Sequence, residues 1–353
     1  MIVATSCCRN YLPKAATLAT SLKAVMPDVS FVLCLVEREV PPAVREIPAF
    51  DEVIAARDLG FERFENLLFR HTIVEAATAV KGRLLEVLLD REAQRRGPGT
   101  RGVLYLDPDT CVYSRLAEVE QLIGRGAEIV LTPHLTIPEQ KDTHAATLDA
   151  VRQNEICALQ HGVYNLGFLG LSPGRTSHAF LQWWSARLAE FCEDKIAEGI
   201  FTDQKWIDLA PGFFDTAILR HPGYNMAPWN FSMRELRREK GLWEVEGEPL
   251  RFFHFSGLDS GAFEAMLGHF GGPNVETVGS LLASYREELV RNGQLQWGAS
   301  EWDYARYLSG ELISDEARRR LRSEPQLRAR IRDPFLHSEA ALLGSRHGAG
   351  AEE

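Results

Sequence analysis

The sequence is short of several features that would each point somewhere definite. No pair among its cysteines (Cys7, Cys8, Cys34, Cys111, Cys157 and Cys192) has the two-residue spacing of a zinc or redox motif. Most sit in apolar runs such as FVLCLV and EICAL, where a thiol behaves as a small hydrophobe, so a reducing compartment is the simpler expectation. Basic charge is also in deficit, 39 Lys and Arg against 49 Asp and Glu, for a formal net charge of −10. Proteins that bind a phosphate backbone gain affinity from displaced counterions and carry the opposite balance. General nucleic-acid binding is thereby disfavoured, whereas one nucleotide in a local cationic or metal-bearing pocket is not. No apolar run is long enough to span a bilayer, and MIVATSCCRNYLPK has no basic region followed by an apolar one, as a signal peptide would. The expectation is a cytoplasmic protein. There is no internal repeat.

The hydrophobic content, 45% over 353 residues, is enough to bury a large core without a disulfide or zinc staple. Ile2 to Thr5 reads as a strand, Tyr11 to Met26 as a helix, and Ser30 to Glu37 (SFVLCLVE) as a second strand, continuously apolar as a strand covered on both faces would be. Asp51 to Ala55 is a weaker third. This β-α-β order predicts a parallel sheet with crossover helices. Phe64 to Arg91 reads as a long helical region broken near Gly82, and Arg95 to Gly102 as a turn-rich connector. Strands follow at Val103 to Leu106, Glu128 to Thr132 and Val163 to Leu171, with a charged helix at Ala145 to Ala158 and an amphipathic one at Thr176 to Glu193. His221 to Phe231 is turn-rich and aromatic, and Leu250 to Phe255 is a last strand. From about Glu276 alternating charge and helical periodicity run to Arg332. The expected organisation is an α/β domain over 1–275, a helical extension over 276–340 and a disordered tail over 341–353.

The strongest chemical signal is YLDPDT. A buried strand that delivers Asp107 and Asp109 places two carboxylates at the carboxyl end of a parallel sheet, where open α/β sheets bind ligands. With a turn at Pro108 both can face one ion, and hard oxygen donors with open positions suit Mg²⁺ or Mn²⁺ beside a diphosphate. The plain alternative is a strand-ending turn. His254, at the end of an apolar strand and before Ser256 and Gly257, would be a third ligand from a distant strand; alone it reads as a core histidine. Asp203 and Gln204 follow a helix, and the competing reading there is a helix cap. Asn165 interrupts an apolar strand, so its amide needs partners, structural or sugar. Asn10 and Tyr11 fall just after the first strand, at the nucleotide end of such a sheet.

Together these stretches resemble the retaining GT-A glycosyltransferases, in particular the bacterial family 8 type. The matching segments are ATSCCRNYLPKAATLATSLK, KGRLLEVLL, VLYLDPDTCV, YNLGFLGL, FTDQKWIDL and FFHFSG, in the family's order over roughly 1–257. The resemblance implies a GT-A (Rossmann-like), mixed but mostly parallel sheet flanked by helices with a C-terminal helical extension. It implies Asp107, Asp109 and His254 as ligands of Mn²⁺ or Mg²⁺, and Thr5, Asn10 and Tyr11 along the base and ribose pocket. Lys81 would touch the donor, and Asn165, Asp203 and Gln204 would hold the transferred sugar, Gln204 near the anomeric carbon. The expected activity is transfer of a hexose-type sugar from a nucleotide-sugar, UDP-linked by resemblance, to a saccharide or glycolipid acceptor. One departure stands out. The family's H-x-x-G-x-x-K ends here as HFSGLDS, with Ser260 in the lysine's place, which leaves diphosphate stabilisation to the metal, Lys81 or Arg251.

Retention would need no dedicated base, because a leaving-group oxygen can take the acceptor proton; inversion would make Asp203 the first candidate base. A haloacid-dehalogenase-like phosphatase fits poorly, since Cys111 stands where that motif needs Thr or Val. A nucleotidyltransferase would bring a Gly-rich loop after the first strand, and SCCRN has no glycine. A non-catalytic scaffold on the same fold remains an alternative. The seven arginines between Arg318 and Arg332 read either as a solvated helical extension or as a peripheral contact with anionic lipid.

Overall fold

The computed structural model describes residues 1–95, 102–140 and 144–343. Its centre is a seven-stranded sheet. Strands β1 (Ile2–Cys7), β2 (Ser30–Leu35) and β3 (Glu52–Ala55) pair in parallel, and β4 (Val103–Leu106) joins β1 on its other side, also in parallel. A short strand β5 (Thr110–Val112) lies outside this sheet. β6 (Ile129–Pro133) and β7 (Tyr164–Leu171) complete it together with a two-residue edge, Ala217–Ile218. The order is Ala217–Ile218, β6, β7, β4, β1, β2, β3, and only β7 runs antiparallel to its neighbours. The sheet is thus mixed but mostly parallel and flanked by helices, with a C-terminal helical extension, the Rossmann-like architecture expected from the sequence.

Strand alternation divides the core into two layers. Ala4, Val32, Cys34 and Tyr105 face helices Lys81–Gln94 and Arg175–Phe191, while Val3, Phe31, Leu33 and Leu104 face helix Leu12–Val25. Helix Lys81–Gln94 buries Leu84, Leu85, Leu88 and Leu89 along one stripe. Gly82 is its contact point with the neighbouring helix: a Cβ there would lie 2.5 Å from Ser185 Oγ.

Some expectations are revised. The helical region from Phe64 does break near Gly82, at Val80, but it breaks a second time earlier, giving helices Phe64–Phe69, Ile73–Ala79 and Lys81–Gln94. Thr72 and Glu75 form a reciprocal capping box that starts the second of these, a local signal stronger than one glycine. The strand expected at Leu250 to Phe255 is Phe252–His254, and it pairs antiparallel with β5, not with the main sheet. A small antiparallel sheet built on Leu236–Glu239 and Leu242–Val245 was not anticipated. Its charged, exposed faces carry little hydrophobic alternation.

Helix Asn274–Arg291 runs across residue 276 and packs on the aromatic layer, where Tyr285 stacks on Phe255 at 3.7 Å. Further on, Trp302, Tyr304, Tyr307 and Phe335 join the core layer that holds helix Lys81–Gln94. Several of the arginines are spent inside the fold. Arg318 donates to the carbonyls of Phe69, His71 and Tyr304, Arg322 pairs with Glu75 and Glu193, and Arg328 with Glu190. No helix among the described residues is long and apolar enough to cross a membrane. The connector and most of the expected tail, residues 344–353, lie outside the described residues; 341–343 end a short helix, Glu339–Leu343.

Candidate functional site

β4 ends at Leu106, and the chain turns over Pro108 before β5. The turn is tied down by Asp107 N–H donating to the Gly167 carbonyl (3.0 Å) and by the Thr110 amide and hydroxyl donating to the Asp107 carbonyl. This brings both aspartates to one side, and β5 holds His254 opposite them through its antiparallel pairing. One ligand atom from each of Asp107, Asp109 and His254 lies within 4.8 Å of the others. His254 Nε2 is 3.1 Å from Asp109 Oδ1 and 4.0 Å from Asp107 Oδ2. Its Nδ1 faces Asn225 Oδ1 at 3.3 Å, and an amide oxygen only accepts, so Nδ1 carries the proton and Nε2 is left as the ligand atom. Two carboxylates and an imidazole form a donor set for a divalent cation such as Mn²⁺ or Mg²⁺. Space is part of the arrangement: a Cβ at Gly167 would lie 2.6 Å from both His254 Cε1 and Asn165 Oδ1.

Lys81, at the start of its helix, is the buried cation of the site. Its ammonium is 2.9 Å from Asp107 Oδ1, 3.0 Å from Asp203 Oδ2 and 3.3 Å from the Leu166 carbonyl, and it lies over the Tyr105 ring. Asp107 therefore gives one oxygen to Lys81 and turns the other to His254. Burial pulls the Lys81 ammonium down, but Asp107 and Asp203 more than offset this, and it stays charged. Burial would push Asp109 up, yet His254 beside it holds the carboxyl at about 2. Burial pushes the Asp203 carboxyl up, with Lys81 opposing. Asp203 is aimed by its predecessor. Thr202 adopts φ +43°, a left-handed conformation uncommon for a β-branched residue, which costs on the order of 1–3 kcal/mol.

Asn165 and Gln204 hold each other. Gln204 Oε1 accepts from Asn165 Nδ2 (3.2 Å) and the Leu166 amide (3.1 Å), and its Nε2 donates to the His161 carbonyl. Asn165 Oδ1 accepts from the Gly167 amide. These residues, with Asp107, Asp109, Lys81, Asp203 and His254, line a cleft of about 650 Å³. A second lobe of about 220 Å³ shares Lys81, Asp107 and Asp109 and is lined by Asn10, Tyr11, Cys7, Cys8 and Ile73. Thr5 is placed otherwise. It is fully buried, its Oγ1 has no hydrogen-bond partner, and Ser6 and Cys7 from the end of β1 line the second lobe instead. Arg251 is held away from the cleft by Glu118 (2.5 Å) and Ser114.

Sequence reasoning passed over several residues here. Asn225, fully buried at φ +57°, supports His254, and Trp229 lies edge-on to both His254 and His134. Their segment, HPGYNMAPWNF, shows in the sequence only its turn-rich, aromatic character, which points to neither residue. His134 accepts from Asn165 Nδ2 at 3.1 Å. Lys14 was read only as part of a helix.

No protein-family model matches the chain. The uncharacterized protein YfnF of Bacillus subtilis (strain 168) is 34% identical over 98 residues, which are 27% of this chain and 32% of that protein. YfnD of the same organism is 27% identical over 100 residues, 28% of this chain and again 32% of the other. The chain thus matches about a third of the length of these relatives. Among solved structures, the galactosyltransferase LgtC in complex with donor and acceptor sugar analogues is 14% identical with a TM-score of 0.41, over 77% of this chain and 96% of that one. Mouse xyloside xylosyltransferase 1 is likewise 14% identical, with a TM-score of 0.39, over 72% of this chain and 97% of that one.

Proposed function

We propose that this chain is a metal-dependent glycosyltransferase that moves a hexose-type sugar from a nucleoside diphosphate sugar, UDP-linked, to a saccharide or glycolipid acceptor, with retention of configuration. The observation that carries the reading is the convergence of Asp107, Asp109 and His254 from two separate strands onto one point beside a two-lobed cleft. A divalent cation held there would neutralise the charge that develops on a leaving nucleoside diphosphate.

The chain's own groups divide the remaining work. The smaller lobe, with Asn10, Tyr11 and the apolar wall of Cys7, Cys8 and Ile73, has the character of a base and ribose pocket. The larger lobe, with Asn165, Asp203 and Gln204, is rich in hydroxyl-binding groups and suits the sugar. Lys81 fixes Asp107 and Asp203 relative to one another, so the carboxylate that serves the metal and the one that faces the sugar share a single anchor. Asp203 is paired with that cation and buried, which favours a positioning role over that of a free base and so supports retention. The order of motifs along the sequence resembles the retaining GT-A glycosyltransferases and agrees with this reading.

The deciding experiment is turnover of a panel of UDP-, GDP- and dTDP-sugars with Mn²⁺, with Mg²⁺ and with EDTA. Metal-dependent release of one nucleoside diphosphate is expected, together with transfer to an acceptor glycoside. The absence of both turnover and metal-linked nucleotide binding across the panel would remove the assignment and favour a scaffold.

A further inference from the structure

Two lysines stand close to the cleft, and they differ in what they have left to give. Lys81 is already engaged, hydrogen-bonded to Asp107 and the Leu166 carbonyl and ion-paired with Asp203. Lys14 is almost as deeply buried, with its side chain only 4% exposed, and its polar partner is Asp259 Oδ2 at 2.6 Å. It also lies over the ring of Tyr11, 3.7 Å from the centroid, and Tyr11 lines the smaller lobe.

A structural explanation of Lys14 is costly. It occupies the first turn of helix Leu12–Val25, where the helix dipole disfavours a cation. A buried ammonium also forfeits solvation that one ion pair repays only in part. An apolar residue would fill the position without either penalty. The partner has the opposite character. Asp259 is 56% exposed, lies in a short loop between Gly257 and Gly261, and can be taken up by solvent at little cost if displaced. Its Oδ2 also accepts from the Tyr11 hydroxyl at 2.8 Å. A carboxylate oxygen thus occupies the place where a buried cation and an aromatic hydroxyl converge.

Resting on the glycosyltransferase reading above, we propose that Lys14 is the diphosphate-binding cation of this chain, with Asp259 as the stand-in anion that the donor's diphosphate displaces. Lys81 and Arg251 cannot serve, the first because it is already engaged and the second because Glu118 and Ser114 hold it elsewhere. Lys14 thereby supplies from the N-terminal helix the charge that the loop carrying Ser260 lacks.

The test is calorimetric titration of the full chain with Mn²⁺ and, in turn, UDP, GDP and dTDP, each alongside its nucleoside. For the nucleotide the wild type binds, Lys14→Met is expected to weaken diphosphate binding about 10- to 100-fold while the nucleoside changes by less than about twofold. Asp259→Asn, at an exposed position that leaves folding intact, is expected to tighten the diphosphate about threefold or more by removing its competitor. Equal diphosphate affinity in Lys14→Met and wild type overturns the proposal. So does a matched loss of nucleoside and diphosphate, the mark of a structural role, and so does an Asp259→Asn variant that weakens the diphosphate as much as Lys14→Met does. If the wild type binds no nucleoside diphosphate at all, the functional reading itself fails and takes this proposal with it, a result distinct from an unaffected variant.

Discussion

The two lobes of the cleft are built on opposite plans. In the larger one the polar groups at the centre hold one another, Lys81 with three partners, Gln204 bonded at both ends of its amide, and Asn165 bridging His134, Gln204 and the backbone of β7, while Asn154 Oδ1 and Trp229 Nε1 on the same wall have no hydrogen-bond partner. The smaller one presents thiols and aliphatic groups from Cys7, Cys8, Ile73, Val74 and Ala77, with few directed bonds. On the proposed reading, charge develops where the metal and sugar would sit, and stabilising it needs dipoles fixed in advance. A planar base needs only a flat apolar slot, which tolerates variation. The first lobe should therefore break abruptly under substitution and the second should yield gradually.

The sharpest break is expected at the ligands. Asp109→Ala removes one of the three proposed metal ligands and the partner of His254, and turnover should fall by on the order of 10³-fold or more, as when a principal transition-state contact is lost. The Mn²⁺-induced rise in melting temperature should vanish with it. Residual metal-dependent turnover within tenfold of wild type would show that the ion binds elsewhere. Lys81→Met tests the anchor. It leaves Asp203 buried beside Asp107 with no cation between them, which costs about 3–5 kcal/mol of stability, read from urea midpoints. A cost below about 1 kcal/mol would mean that the pair adds little to the rigidity ascribed to this lobe.

The same contrast marks how far the sequence could be read. Asp107, Asp109 and His254 were legible because a metal site concentrates unusual residue types at strand ends, and the structure brings those three together. The strands β1, β2 and β4 and their parallel sheet were legible for a related reason, since buried parallel strands are continuously apolar. Asn225 and Lys14 were not. Asn225 matters through a left-handed backbone and a contact with His254, and Lys14 through what sits beside its helix, information that exists only once distant segments meet. Thr5 and Ser6 show the intermediate case: the right strand was identified, but which of its residues line the lobe depends on how its end meets the rest of the fold.

His134 offers a graded test on the larger lobe. Its Nε2 accepts from Asn165 Nδ2 and its Nδ1 faces the Val163 carbonyl, so the ring is held neutral, and burial depresses its pKa to about 4. A histidine depressed in the folded state contributes stability that is complete above its unfolded value near 6.5 and is lost as pH falls through about 4. Between those values the loss should be on the order of 2–3 kcal/mol. His71, also depressed to about 4, shares the window, so the measurement is the difference between wild type and His134→Gln in urea unfolding at pH 7 and pH 4.5. Parallel slopes in the two proteins would show that the ring is not locked.

The smallest effect is expected in the smaller lobe. Cys8 is buried, and its thiol makes one weak contact, 4.0 Å to the Ile73 carbonyl. Cys8→Ala removes one sulfur atom from an apolar wall, worth about 1 kcal/mol of stability. A base that packs on that wall by its face loses only part of one contact, so nucleoside affinity should change less than threefold and turnover at saturating donor not at all. The result separates two accounts of the slot. If affinity falls more than tenfold, the wall is as closely fitted as the metal lobe, and base selectivity is set by its shape. If it changes little, selectivity has to come from polar side chains that line the lobe, such as Asn10 and Tyr11.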